Sequence, residues 1–256
     1  MSFLKRFLFL VFVMASLPIF SQYLGYTPIN EAHVNPWVPQ LEFEYYGSYH
    51  FGDSEGESTL IVLGTATEVI AQIKSGEWND DATDWIWNYT NLTNVHIDAE
   101  GKFWCDEYSG QFVNYTQNGK KQACLKIYDS WSGVTQKKGE YELGPKVGEL
   151  DLKFPGEYPE ASTRDLRPEE LKKLTPAQLR IMRNEIYARY GYKFRPDGKM
   201  NAYFTQQSWF KGQHGNVDDF LTVLEKRNIK LIQQEEKLRW TITSLSNFSY
   251  IPNQML

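Results

Sequence analysis

Residues 174–191, LTPAQLRIMRNEIYARYG, carry the clearest local signal in the chain. Thr175 suits a helix N-cap, Pro176 the first helical position, and Gln178 follows the cap by three. In such a capping box the Thr hydroxyl and the Gln amide satisfy backbone N–H groups that a helix start leaves bare. Leu179, Met182, Ile186 and Tyr190 recur at helical spacing, and Gly191 supplies the left-handed stop. The stretch predicts a helix with one buried face. It specifies no chemistry.

Working outward, Pro168 starts a short helix through Leu174, and Pro176 to Tyr190 is the central helix. Asp197-Gly198 bends the RPDGK turn at 195–199. Ala202 to Trp209 reads as another short helix. A second capping box, Thr222 with Glu225, opens a helix ending near Trp240, with Leu224, Ile229, Leu231, Ile232 and Leu238 as its apolar positions. Asn184 and Asn228 fall inside these helices, where a polar residue beside an apolar stripe usually ties down a neighbouring backbone.

RNEIYARYG, followed by YKF, then Tyr203-Phe204, Trp209-Phe210 and LTVLEKRNIKLI, resembles the YARHG domain over about Arg164 to Arg239. The resemblance implies a small helical fold and a bacterial extracellular setting, and brings no established molecular function. The family's eponymous His is Tyr190 here, so a role needing an imidazole at that position does not carry over.

Upstream, the pattern turns to β. Leu41, Phe43 and Tyr45 alternate, and Thr, Val and Ile are dense from Ser58 to Ile73. Trp85, Ile86 and Trp87 follow an acidic loop and lead toward Val95, His96 and Ile97. Phe103–Glu107, Gln111–Tyr115 and Gln122–Tyr128 read as a meander turned at Ser109-Gly110 and Asn118-Gly119, and Glu140–Leu143 as a last strand. The fold expected is α+β: an N-terminal antiparallel β-domain, a small barrel or sandwich, then a small C-terminal α-helical domain. The division is a signal peptide at 1–21, the β-rich domain at 22–143, a Pro/Gly-rich linker at 144–163, the helical domain at 164–240 and a tail at 241–256.

Lys5 and Arg6, the apolar run Phe7 to Leu17, Pro18 and Ser21 are the parts of a secretory signal cut after Ser21. The run is too short to span a bilayer, and no later stretch is long and apolar enough. The expected address is therefore export: periplasm, outer surface or medium. Charge is uneven. Residues 164–239 hold 16 Lys and Arg against 10 Asp and Glu, a balance of +6; residues 22–163 hold 9 against 22, a balance of −13. Opposite halves can dock on each other, or each can face its own partner.

No catalytic motif emerges. His33, His50, His96 and His214 lack metal-ligand spacing, and no GxSxG, GxGxxG or GxxxxGK occurs, so no cofactor or metal is expected. Carboxylate neighbours such as Asp80-Asp81 and Asp218-Asp219 do not predict the facing pair a glycosidase needs. Export invites a Cys105–Cys124 disulfide. The meander opposes it, because two strand spacings make roughly 10 Å against a Cα limit of about 7 Å. Both readings stand at this point.

The helical half is dense in aromatic and basic residues. Core packing accounts for most of the aromatics. The functional reading is a surface formed by Arg189, Tyr192, Lys193, Arg195 and Lys211 that holds an anionic or sugar polymer such as a cell-wall glycan. Nucleic acid fits poorly with export and an acidic whole. The expected function is non-catalytic binding at the bacterial envelope. One alternative is a small-ligand carrier with a cavity in the β-domain, whose tryptophans are Trp37, Trp78, Trp85, Trp87, Trp104 and Trp131. The other is a carboxylate-dependent hydrolase with two acids facing across a polar cleft.

Overall fold

The computed structural model describes residues 22–147 and 154–248. The signal peptide, six residues of the expected linker and the end of the tail lie outside the described residues. Twelve strands are described: β1 (Gln22–Leu24), β2 (Thr27–Pro28), β3 (Val34–Pro36), β4 (Gly47–Phe51), β5 (Ser58–Gly64), β6 (Val69–Trp78), β7 (Trp85–Asn91), β8 (His96–Ile97), β9 (Lys102–Trp104), β10 (Ser109–Gln117), β11 (Lys120–Tyr128) and β12 (Tyr141–Pro145). The helices are α1 (Glu160–Thr163), α2 (Pro168–Leu171), α3 (Pro176–Arg189), α4 (Lys199–Phe204) and α5 (Val223–Phe248).

The strands form two sheets. The larger runs β2-β1-β12-β11-β10-β9-β8, with β3 also on β10, and the smaller runs β4-β5-β6-β7. All pairings are antiparallel except β1 with β12. Tyr49, Phe51, Leu60, Val62, Ala71 and Ile73 of the small sheet meet Phe103, Phe112, Leu125 and Ile127 of the large one in a single core. Strand alternation explains which residues enter it, since only every second side chain faces the partner sheet.

The N-terminal part is therefore antiparallel-rich, as expected, but it is not a barrel. The outer edge of β7 is taken up by the helical region instead of by another strand. Gln213 and His214 bond the backbone of Trp85 and Trp87 there. Closure would need that edge for strand pairing.

Local differences have local causes. The Leu41–Tyr45 alternation is not a strand: residues 42–45 form a 3-10 turn in which Glu44 accepts from the Leu41 N–H at 3.0 Å. The turn expected at Ser109-Gly110 falls earlier, where the Cys105 N–H bonds the Tyr108 carbonyl at 2.9 Å, while Ser109 and Gly110 themselves open β10. Asn118-Gly119 turns as expected, both residues at positive φ, the mirror-image turn that matches strand twist.

Cys105 and Cys124 are free thiols. Cys105 packs on the core between the sheets, while Cys124 lies with Val113, Tyr141 and Leu143 in a separate cluster. In the sheet β10 lies between β11, which carries Cys124, and β9, which ends beside Cys105, so two strand spacings separate the thiols and the bridge is not formed.

The helical region follows its capping signals. Gln178 accepts from the Thr175 N–H at 2.9 Å and Thr175 from the Gln178 N–H at 3.3 Å. Leu179, Met182 and Ile186 of α3 are buried with Leu171, Val217, Ile229 and Ile232. Each such side chain stabilises the fold by roughly 1.5–3 kcal/mol. Asn228 works as a backbone tie, accepting from the Leu166 N–H and donating to the carbonyls of Ala161 and Arg164 at 2.8–3.0 Å. Residues read as the end of a linker are part of this core, because Tyr158 and Ala161 are buried in it. Among the described residues, no helix is long and apolar enough to cross a membrane.

A candidate binding cleft between sheet and helices

The site begins with the alternation in β7. Trp85, Trp87 and Tyr89 share one face of the small sheet, and the register sets Lys74 beside Tyr89 and Gln72 beside Asn91. Thr59 and Ile61 of β5 continue the same rows. This is the face turned away from the sheet–sheet core, and the helical region covers part of it.

Polar side chains make the join. Gln72 Nε2 donates to the Phe220 carbonyl at 2.7 Å, and Asn91 Nδ2 reaches the carbonyls of Asp219, Phe220 and Leu221 at 3.0–3.2 Å. Gln213 accepts from the Trp87 N–H at 3.3 Å and donates to the Trp85 carbonyl at 2.7 Å. His214 Nε2 lies 2.8 Å from the Trp87 carbonyl. Tyr89 and Tyr190 meet edge to face at 4.7 Å. Two ion pairs, Lys211–Asp84 and Arg227–Glu68, also cross from the helical region to the loops that flank β6 and β7.

Beside this join remains an open cleft of about 560 Å³. Trp85, Trp87, Tyr89 and Lys74 line it from the sheet; Arg189, Trp209, Lys211 and Gln213 line it from the helical side. The cations have different surroundings. Arg189 is almost wholly buried, ion-paired to Glu185, and donates to Ser162 Oγ and the carbonyls of Pro155 and Tyr158 at 2.8–2.9 Å. Burial lowers its pKa, opposed by the carboxylates of Glu185 and Glu225. Lys211 is exposed and paired with Asp84.

Lys74 has neither kind of partner. Among the described residues its ammonium makes no hydrogen bond or ion pair, and it stands 4.2 Å from the Trp87 ring centroid and 6.0 Å from that of Tyr89. Cation–π attraction holds it there. Loss of hydration on burial lowers its pKa.

Glu225 is the carboxylate of the lining. It is fully buried, and burial raises its pKa against the pull of surrounding donors. Its Oε2 accepts from the Tyr190 hydroxyl at 2.6 Å and from Thr222 N–H and Oγ1 at 2.9 and 3.0 Å. Among the described residues, no three His, Cys, Asp or Glu side chains gather as a metal site.

Of the residues expected from sequence, Arg189 and Lys211 stand in the cleft wall. Tyr192 packs between Tyr187 and Phe194, Lys193 is exposed, and Arg195 is 83% exposed and paired with Asp197 at 2.8 Å. None of these three lines the cleft. Sequence reading does not single out Lys74 or Gln213; it names Trp85 and Trp87 only for a carrier cavity in the β-domain and Trp209 only among the family-like aromatics. The alternation WIWNY was the available signal, but it does not say which face stays open.

Residues 156–237 match the family model of the YARHG domain, so the C-terminal part of the chain carries that domain. It is a domain of unknown function, usual in extracellular proteins. No curated protein and no solved structure matches the chain. The cleft thus joins two unlike parents: one wall is a YARHG domain, the other a β-sheet outside the matched segment.

Proposed function

We propose that this is an exported, non-catalytic binding protein of the bacterial envelope, which holds a segment of cell-wall glycan or another envelope polymer in the cleft. One observation carries the reading: Trp85, Trp87, Trp209 and Tyr89 surround an open trough that also offers Thr59 and the Lys74 ammonium, which has no ion pair among the described residues. Pyranose rings have apolar C–H faces and polar edges, so they suit aromatic walls with a few placed polar groups. The extracellular habit of YARHG domains supports export, as do the signal features of residues 1–21. The Lys211–Asp84 and Arg227–Glu68 pairs support docking of the basic half on the acidic one.

A glycosidase needs two carboxyl groups flanking the bond it cleaves. The cleft offers Glu225, and that residue is buried and committed to Tyr190 and Thr222. Binding is therefore favoured over hydrolysis. The volume of about 560 Å³ also suits a small free saccharide, which keeps a carrier role as the second reading.

The test is retention of the full mature chain on insoluble cell-wall sacculi, compared with Trp87→Ala and Trp209→Ala. Retention that drops at least about tenfold in both variants supports the reading. Equal retention of all three proteins, or none by the unaltered chain, sinks it.

A further inference from the structure

We infer that Lys74 is an anion subsite, so that the ligand of this cleft is a saccharide bearing a carboxylate or phosphate group. The inference rests on the cleft being the binding site and adds the chemistry it selects. Three observations meet at this residue.

The first is the contrast among cations. Arg189 is neutralised by Glu185 and Lys211 by Asp84, whereas Lys74 makes no ion pair or hydrogen bond among the described residues. The second is the sheet environment. Its cross-strand neighbours are Thr59 and Tyr89, so the register sets no carboxylate directly beside it. The third is position: Lys74 lines the cleft, partly buried, on the same sheet face as the half-buried Trp85 and Trp87.

A partly buried ammonium set against two aromatic rings has lost hydration and gained a modest cation–π attraction in return. An anion entering the cleft would complete a charge-assisted hydrogen bond in a site already partly stripped of water. A neutral sugar would cover the ammonium further and give it no counter-charge. The same cleft therefore discriminates by charge. Because Lys74 covers part of Trp87, the remaining stacking surface is offered by Trp85 and Trp209.

The experiment uses the full mature chain, unaltered and as Lys74→Met, Lys74→Arg and Trp209→Ala, followed by calorimetric titration. Two matched pairs of probes separate the anion sources: tetragalacturonate against maltotetraose, and glucose 6-phosphate against glucose. The expected result is that the anionic member of at least one pair binds about tenfold tighter or more. Lys74→Met abolishes that preference, Lys74→Arg keeps it, and Trp209→Ala weakens neutral and anionic sugars alike. Equal affinity within both pairs, or a preference that survives Lys74→Met, overturns the inference while leaving saccharide binding intact. A charge preference that needs Lys74 but ignores Trp209→Ala upholds the anion subsite and removes the stacking part of the cleft reading. Failure of every probe to bind overturns both.

Discussion

The Tyr190 hydroxyl donates a 2.6 Å hydrogen bond to Glu225 Oε2, and both side chains are buried where α3, α5 and the small sheet meet. The same phenol oxygen lies 3.3 Å from Gln72 Oε1. Glu225 Oε1 is buried with no hydrogen-bond partner among the described residues. The position that resembles the family's histidine is thus spent on holding a carboxylate at the seam.

Replacing Tyr190 by Phe removes one of the donors to that carboxylate, together with the longer contact to Gln72 Oε1. The expected loss is roughly 1–3 kcal/mol, since a buried acceptor left short of a donor keeps its desolvation penalty. Urea unfolding of the full chain measures it. An unchanged midpoint would show that the bond contributes nothing net.

The raised pKa of Glu225 sets a pH dependence. Burial lifts the folded-state value above the ordinary 4.5, so the folded form binds its proton more tightly than the unfolded chain does. Its contribution to stability is fully present below pH 4.5 and is lost as pH rises through the folded value. Glu225→Gln cannot ionise and should show a flatter profile. The melting temperature of the unaltered chain minus that of the variant should fall as pH rises above 4.5; a difference independent of pH refutes the assignment.

Arg189 and Arg195 should behave as opposites although both were read as surface ligands. Arg189→Ala leaves Glu185 buried with the N–H groups of Glu157 and Tyr158 at 2.8 Å but no cation, a change on the order of 3–5 kcal/mol. Arg195→Ala breaks only an exposed pair with Asp197, and no shift in melting temperature is expected. The wrapping of Glu185 also constrains Gly156: at φ +121°, a Cβ there would lie 2.1 Å from the Glu185 carboxyl carbon. Thermal melts of Arg189→Ala and Arg195→Ala suffice, and similar losses in both would contradict the geometry.

Both cysteines should remain unmodified until the chain unfolds. Burial pushes the Cys105 thiol up to about 11 and the Cys124 thiol up to about 12, so little thiolate is present near neutrality. Reaction with a chromogenic disulfide at pH 8 should be slow for the folded protein. Two thiols should appear at once in denaturant without reductant. Fewer than two would reveal an oxidised pair.

Some features were legible because their partners lie a few residues away. Thr175 with Gln178 and Thr222 with Glu225 are contacts at a separation of three, which residue type alone can announce. Asn118-Gly119 declares its turn through the φ angles it tolerates. The Leu41–Tyr45 alternation misled because Glu44 satisfies a backbone donor locally, and that competes with strand pairing. Arg189 was found as a cation, but not as one already engaged by Glu185, Ser162 and the 155–158 backbone.

By itself the sequence determined the two-part architecture, the helix starts, the tight hairpin and the resemblance of the second part to the YARHG domain. Each depends on short-range spacing or on the period of apolar residues. Only the tertiary structure decided that the small sheet stays open and that the YARHG domain roofs part of its outer face. The same packing leaves Lys74 against Trp87 and Tyr89, with no ion pair among the described residues. Those outcomes rest on pairs such as Gln72 with Phe220, 148 residues apart, and Trp85 with Gln213, 128 apart. At such separations residue type fixes what a side chain can offer, while packing selects which partner receives it.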